Sequence, residues 1–485
     1  MRFPLAHPFR LVALLFLLLG IPAGVFADTI YLKSGRKISA THVIQENGEV
    51  SYETPAGRFS FPASIVDRIV HGDSSPASTT LTPSDRAANL PIAPPNALAA
   101  PSGDAAGAAV RDGSIDVGLL SKLESEADAN PSPTAVARVV AAEGAAANFE
   151  ISVGDFERAA AHYSVGLRFD PNNVGLLLEA AYLHLRRSEY TPALDLLDHA
   201  RSLDPDSAEV AKLSGWAYYG LNRVSDAVTQ WNRAMELKPD EETLHALEKA
   251  QRDAQEEAEY HEGETSHFRL KYNGEAAPEL AAEVLKTLES EFDEISTALN
   301  YVPPEPIGVI LYTNQAFMDI TRAPSWSGAL NDGRLRVPVE GLSVMTTELA
   351  RVLKHELTHS FVGQKTGGRC PVWLQEGIAQ YMEGKRSRVN AGALAAAYEN
   401  HMEFSLLSYE TSWLNLPRDT AANAYAWSLA VVEMIVTVNG IDDLERILER
   451  IAEGSSTEDA VRAVLHEDYA GVMLSTAQFL RKAYQ

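Results

Sequence analysis

His355 and His359 stand four residues apart in Val352-Leu353-Lys354-His355-Glu356-Leu357-Thr358-His359-Ser360-Phe361-Val362. Leu353, Leu357 and Phe361 recur at helical spacing, and on a helix side chains four apart lie one turn above each other. The pattern predicts two imidazoles on one helix face, close enough to grip one metal ion. Glu356 falls about 100° round the helix from His355, where its carboxylate can hold a metal-bound water instead of the metal. Two nitrogen ligands and one general base are the makings of a hydrolytic zinc centre.

Catalytic zinc takes three protein ligands and keeps a fourth position open. The third is expected from Glu376, in Pro371-Val372-Trp373-Leu374-Gln375-Glu376-Gly377-Ile378-Ala379-Gln380-Tyr381. Sixteen residues separate His359 from Glu376, room for a loop containing Gly363, Gly367, Gly368 and Pro371. Leu374, Ile378 and Tyr381 then mark a return helix beside the first, which lets Glu376 point back at the metal. The expected set is His355, His359 and Glu376 around one Zn2+, with Glu356 as the base.

H-E-L-x-H followed by W-L-x-E-G-x-A-x-Y resembles the gluzincin metallopeptidases, specifically the peptidase MA-like domains. The resemblance implies zinc bound by His355, His359 and Glu376, and hydrolysis of a peptide bond by water that Glu356 activates. It also implies a tyrosine early in a later helix as a second oxyanion donor. Asn423-Ala424-Tyr425-Ala426-Trp427-Ser428 resembles the A-Y-x-x-S pattern there, so Tyr425 takes that role. In gluzincins an edge strand beside the metal pairs with the extended substrate, and the resemblance gives this job to Arg334-Leu335-Arg336-Val337-Pro338-Val339. Strand addition of this kind holds a peptide through its backbone, and Pro338 suits an edge. Gluzincin aminopeptidases carry G-x-M-E-N, whose glutamate binds a free amino terminus. The loosely similar Gly328-Ala329-Leu330-Asn331-Asp332 lacks that glutamate, so an endopeptidase is expected.

The remainder of the chain must carry and address this centre. With 485 residues, several domains are expected, giving a multidomain α+β protein. Residues 1–27 read as a secretory signal peptide: Arg2 and Arg10, an apolar core from Leu11 to Leu19, then Val25-Phe26-Ala27 before the cut. The expected destination is the periplasm or the outside of the cell, with no stable membrane span after signal removal. Residues 28–72 alternate like short strands between turn signals such as Asn47-Gly48, predicting a small all-β module. Residues 73–115 are rich in Pro, Ser and Ala and read as a flexible tether.

Between 116 and 258 a period of 34 residues appears. Asp170-Pro171, Asp204-Pro205 and Lys238-Pro239 keep it, as do Ala159, Ala193 and Ala227, and Tyr163, Leu197 and Trp231. This resembles tetratricopeptide repeats, an α-solenoid with a concave face for a protein partner. A degenerate first repeat begins near Pro133, and a polar helix from Glu241 closes the array. The resemblance implies that residues 259–485 form a gluzincin-like α+β metallopeptidase domain.

The net charge of −25 argues against nucleic acid or an anionic membrane as partner; the expected partners are a polypeptide substrate and a protein on the repeats. Cys370, the one cysteine, forms no internal disulfide. Two other readings stay open at this level. One is a non-catalytic repeat scaffold whose retained peptidase fold binds protein. The other is a zinc hydrolase acting on a bond other than a peptide.

Overall fold

Turn residues cut the amino-terminal stretch into strands β1 (Asp28–Leu32), β2 (Lys37–Glu46), β3 (Glu49–Thr54), β4 (Gly57–Pro62) and β5 (Val66–Val70). They form one antiparallel sheet in the order β4-β3-β2-β1-β5. Four strands are expected from the alternation; the fifth, Val66-Asp67-Arg68-Ile69-Val70, carries two adjacent charges that hide its period. This sheet belongs to a unit spanning residues 1–81, and residues 82–485 form a second unit. The computed structural model describes strands and adjoining residues within 28–70. It also describes residues 104–484, except 112–113, 275–277, 313–329, 332, 340–341, 402–404, 411–412, 414–415 and 417. The expected signal peptide and most of the expected tether lie outside the described residues.

The tether reading needs one correction at its end. Residues Asp104–Ala109 form helix α1, followed by the two-residue strands β6 (Val110–Arg111) and β7 (Ser114–Ile115). Ala109 packs with Leu120, Leu123 and Val139. A run of alanines looks like linker by composition, yet alanine is the best helix former and needs little space to pack.

The solenoid follows as helices α2 (Val117–Ala129), α3 (Pro133–Val153), α4 (Phe156–Phe169), α5 (Val174–Arg186), α6 (Tyr190–Leu203), α7 (Ala208–Gly220), α8 (Val224–Leu237) and α9 (Glu241–Glu256). Asp116, Ser132, Asp155, Asn173, Ser207 and Asp240 each accept a first-turn N–H and so start their helices. The period-34 residues Ala159, Ala193 and Ala227 are fully buried, as are Leu197 and Trp231.

A second period-34 set appears only in the backbone. Gly154, Ser188 and Asn222 have φ of 89°, 59° and 60°. Each ends its repeat's first helix in the left-handed conformation, and the next N–H closes the turn: Asp155 to Glu150 O, Glu189 to His184 O and Arg223 to Tyr218 O. All three turns dock on the carboxy-terminal domain. Arg369 donates to Gly154 O (3.2 Å), Thr191 N donates to Glu305 (2.8 Å), and Arg269 donates to Leu221 O (3.0 Å).

That domain begins with β8 (His261–Glu264), β9 (Phe268–Tyr272), α10 (Pro278–Leu299), β10 (Ile307–Tyr312), β11 (Leu330–Asn331) and β12 (Leu335–Pro338). The sheet order is β11-β12-β10-β9-β8; β9, β10 and β12 are parallel, while β8 and β11 run against their neighbours. Helices α11 (Thr347–Lys365), α12 (Val372–Met382), α13 (Ala391–Glu399), α14 (Arg418–Met434), α15 (Ile441–Ala452), α16 (Thr457–Leu465) and α17 (Tyr469–Tyr484) complete it.

Alternate residues of a strand face opposite sides of the sheet. Phe268 and Leu270, Val309 and Leu311, and Leu335 and Val337 enter one apolar core with α10 and α11. The residues between them meet the solenoid. Gly308 abuts the Asn222 side chain. Tyr312 Oη donates to Glu257 (3.0 Å), and Lys271 pairs with the same carboxylate (3.5 Å). Arg334 and Arg336, both 0 % exposed, bind Asp253 and Glu257 at the end of the repeats. The repeat region is therefore the second covering layer of this sheet.

Thr420–Asn439 is the one described segment long and apolar enough to cross a membrane. Trp427, Ala430, Val431 and Val432 on it are fully buried in the domain core.

Candidate metal centre

Helix α11 starts where Thr346 Oγ1 accepts the Leu349 N–H (3.1 Å). Leu353, Leu357 and Phe361 are 0 % exposed and fasten it to the core. Lys354, on another face, is held at 2.7 Å by both Glu291 and Glu294 of α10. The helix therefore has a fixed rotation, and its His355–His359 face is set. After Thr366 the chain reverses through Gly367 and Gly368, at φ 57° and 74°, conformations that glycine adopts without strain. Helix α12 then returns beside α11.

Gly377 explains why a glycine follows Glu376. A Cβ there would strike the Ser428 carbonyl and the Val432 side chain of α14. This close crossing brings Tyr425 of α14 towards Glu376. Gln380 Nε2 ties the pair by donating to both Glu376 O (3.1 Å) and Tyr425 O (3.0 Å).

The structure brings His355, His359 and Glu376 together, with one ligand atom from each inside a 4.8 Å group. The two Nε2 atoms are 3.1 Å apart, and Glu376 Oε2 lies 3.6 Å from one and 3.7 Å from the other. That oxygen is buried with no hydrogen-bond partner among the described residues. Buried polar atoms are normally satisfied, so an orphaned carboxylate oxygen facing two ring nitrogens is a place for a cation. Glu356 is 8 % exposed beside them.

Sequence reasoning missed two partners. Glu383 Oε1 lies 3.5 Å from His355 Nδ1. It sits seven residues after Glu376, two helical turns on the same side, a spacing that could have revealed it. Gln375 hydrogen-bonds His359 and is itself held by donating to Cys370 O (2.9 Å). A carboxylate thus stands at the outer nitrogen of His355, as a second group generally does at metal-binding histidines. Cys370 is buried, and burial pushes its thiol well above the usual range.

The electrostatics describe a site with surplus negative charge. Burial works against a charged His355, but Glu376 and Glu383 outweigh it and lift the ring to about 10. Burial drives His359 down to about 4, helped by the neighbouring His355 charge. Burial would raise Glu376, yet the two histidines hold it lowered. Glu356 is pushed up to about 7, by burial first and then by Glu376 and Glu383. Without a metal, a proton on His355 and the Lys385 ammonium, 2.6 Å from Glu383, are positive charges amid these carboxylates. Burial, Glu376 and Glu356 all raise the Tyr425 phenol, so it stays a donor at neutral pH. Trp413 stacks edge-on against it, with centroids 5.1 Å apart.

One expectation about the neighbouring strand is corrected. β12 is not the outermost strand: β11 pairs with its first half, Leu330 opposite Arg336 and Asn331 opposite Leu335. A two-residue strand just before Gly333, which has φ 96°, is too short to display a period. Among the described residues, the outer side of Val337 and Pro338 carries no strand partner.

A family model of the Peptidase MA superfamily matches residues 296–481. The chain carries a Peptidase MA superfamily domain. The match covers α11, α12 and α14, and so all the residues converging on the site. A tetratricopeptide repeat model matches residues 150–215. The first TPR domain of human RPAP3 is similar at 24 % identity over 24 % of this chain and 91 % of its own, with a TM-score of 0.23. The first TPR of Spaghetti (RPAP3), bound to the HSP90 peptide SRMEEVD, is similar at 23 % identity over 22 % of this chain and 87 % of its own, with a TM-score of 0.22. MamA is similar at 15 % identity over 30 % of this chain and 91 % of its own, with a TM-score of 0.22. No curated protein matches the chain.

Proposed function

We propose that this chain is an exported zinc-dependent metalloendopeptidase of gluzincin type, whose repeats engage a protein substrate or partner. The observation that carries the reading is the orphaned, buried Glu376 Oε2 facing two convergent Nε2 atoms, with the buried carboxyl of Glu356 beside them. Two nitrogens and one oxygen fit the ligand chemistry of catalytic zinc, so His355, His359 and Glu376 are the residues that would hold it.

Bound zinc supplies Lewis acidity at a carbonyl oxygen and lowers the pKa of water. The protein's own residues do the rest. Glu356, ionised, orients the attacking water and takes its proton, then passes it to the departing amine nitrogen. Its raised pKa suits that exchange, since a base poised near neutrality both accepts and releases a proton. Tyr425 keeps its phenolic proton and donates to the oxyanion as the carbonyl becomes tetrahedral. Glu383 and Gln375 hold the two rings in orientation. The apolar core Leu11 to Leu19, followed by Val25-Phe26-Ala27, supports export to the periplasm or beyond.

The test has two parts. Metal analysis of the mature protein should find about one zinc per chain, lost in His359→Ala and Glu376→Ala. Cleavage of an unfolded protein should fall roughly 10²–10⁴-fold in Glu356→Gln while zinc is retained. A Glu356→Gln variant as active as the parent would refute the mechanism. A chain that takes up no zinc when supplied with it would make the scaffold reading the correct one.

A further inference from the structure

Arg336 lies on β12 and Arg334 immediately precedes it, and the other face of that strand packs against the helix bearing His355 and His359. Leu335 and Val337 share the core with Leu349, Leu353, Leu357 and Phe361 of α11. Arg334 and Arg336 point the opposite way and are 0 % exposed. Arg334 Nη2 donates to both oxygens of Glu257 at 2.6 Å, and its Nη1 to Asp253 at 3.2 Å. Arg336 grips Asp253 bidentately at 2.9 and 2.7 Å. Its Nη1 also donates to Tyr312 Oη (2.7 Å) and its Nη2 to Tyr219 Oη (2.8 Å). Tyr219 in turn donates to Asp253 (2.7 Å).

This network joins α7, α9 and the short helical turn after it to β10 and β12. It occupies a place that apolar side chains would fill with as much stability, because burying charges costs most of what their pairing returns. What an ionic network adds is geometry. Bidentate guanidinium–carboxylate pairs fix distance and angle together. β12 is laddered to β10 on one side, and with Arg336 gripping Asp253 and Arg334 gripping Glu257 it cannot shift without leaving charges unpaired in a dry interior.

We propose that Arg334 and Arg336 are positioning residues for substrate: the end of the repeat array, through Asp253 and Glu257, sets where the β11–β12 edge lies relative to the metal helix. An extended peptide adding to that edge is thereby placed in register with His355, His359 and Glu376. The inference rests on the peptidase reading above. Its consequence is that the repeats act on catalysis from behind the sheet, in addition to whatever their open face binds. Neither arginine touches substrate; each acts through β12, which carries Arg336 and follows directly on Arg334.

The experiment compares the parent with Arg336→Lys and Arg334→Lys, which keep the charge but lose the fork. Three measurements are made on the full mature chain: zinc content, hydrogen exchange resolved by segment, and kinetics with fluorescein-labelled β-casein. The expected result is unchanged zinc, faster exchange confined to 330–339, and a KM raised roughly tenfold with kcat within about twofold, the signature of lost uniform binding. A merely structural role would not divide the kinetics in this way. Unchanged KM and unchanged exchange at 330–339 overturn the proposal, as does exchange that rises equally in α11 and α12. If a lysine variant fails to fold, the apolar pair Arg336→Met with Asp253→Leu replaces it, with the same readings required. If the parent does not cleave casein, the peptidase reading has failed on that probe, and exchange at 330–339 alone decides whether the arginines set the strand.

Discussion

Replacing Asp253 by Leu should destabilise the repeats and the sheet of the carboxy-terminal domain together. Asp253 is 0 % exposed and accepts from Arg334, Arg336 and Tyr219. Without it, two fully buried guanidiniums share one described carboxylate, Glu257, which already serves Lys271 and Tyr312. Breaking a buried ion pair from one side costs about 3–5 kcal/mol. Removing Arg336 as well, as Asp253→Leu with Arg336→Met, leaves the Arg334–Glu257 fork intact and should restore about half or more of the loss. Urea unfolding, with hydrogen exchange resolved between α7–α9 and α11–α12, measures both quantities. Both segments should lose protection in parallel, because the solenoid is one covering layer of the sheet. Acid adds a second check. Burial would raise Asp253, but Arg336 and Arg334 outweigh it and hold it lowered. A depressed carboxyl contributes its stability above the unfolded value of about 4 and loses it as pH falls through the folded value. The parent should therefore be more acid-sensitive than the paired variant. A single-variant loss below about 1 kcal/mol, a double variant as unstable as the sum of the two singles, or weakening of the repeats alone would refute the reasoning.

Three further outcomes follow from the site. Tyr425→Phe should lower kcat about 10²–10³-fold with zinc content unchanged, read by steady-state cleavage of an unfolded protein. Glu383→Gln should weaken zinc about 10–100-fold in competition with a chelator, because His355 loses the carboxylate at its Nδ1. Zinc uptake should release a proton near neutral pH, since His355, lifted to about 10, must lose it to become a ligand. Apparent zinc affinity should accordingly fall as pH drops below that value, and calorimetry in two buffers of different ionisation enthalpy counts the protons.

Much of the site was legible because its parts are local. His355, Glu356 and His359 lie within one helical turn and a half, so spacing alone placed them on neighbouring faces. Glu376 needed only a short reversal, which Gly367 and Gly368 advertise. Tyr425 was less legible, because its nearness to Glu376 depends on the Gly377–Ser428 crossing of two helices distant in sequence. Glu383 carried a readable spacing but no pattern of its own, and Gln375 acts through an amide that Cys370 O orients. The repeat period was plain in Ala159, Ala193 and Ala227, since each small residue is demanded by the same helix contact in every repeat.

The sequence by itself determined the helix bearing His355 and His359, through neighbours within a few residues, and the repeat array, through its period of 34. Only the tertiary structure decided that these form one layered body. Phe268-Arg269-Leu270-Lys271 and Arg334-Leu335-Arg336-Val337 read as strands with one wet face, because charged residues at every second place normally meet water. Here that face meets the solenoid, where Asp253, Glu257 and the carbonyl of Leu221 take the place of solvent. A period of two reports that alternate side chains differ in polarity. Whether the polar set is answered by water or by a partner 48 to 81 residues away depends on long-range packing, and no local spacing encodes it.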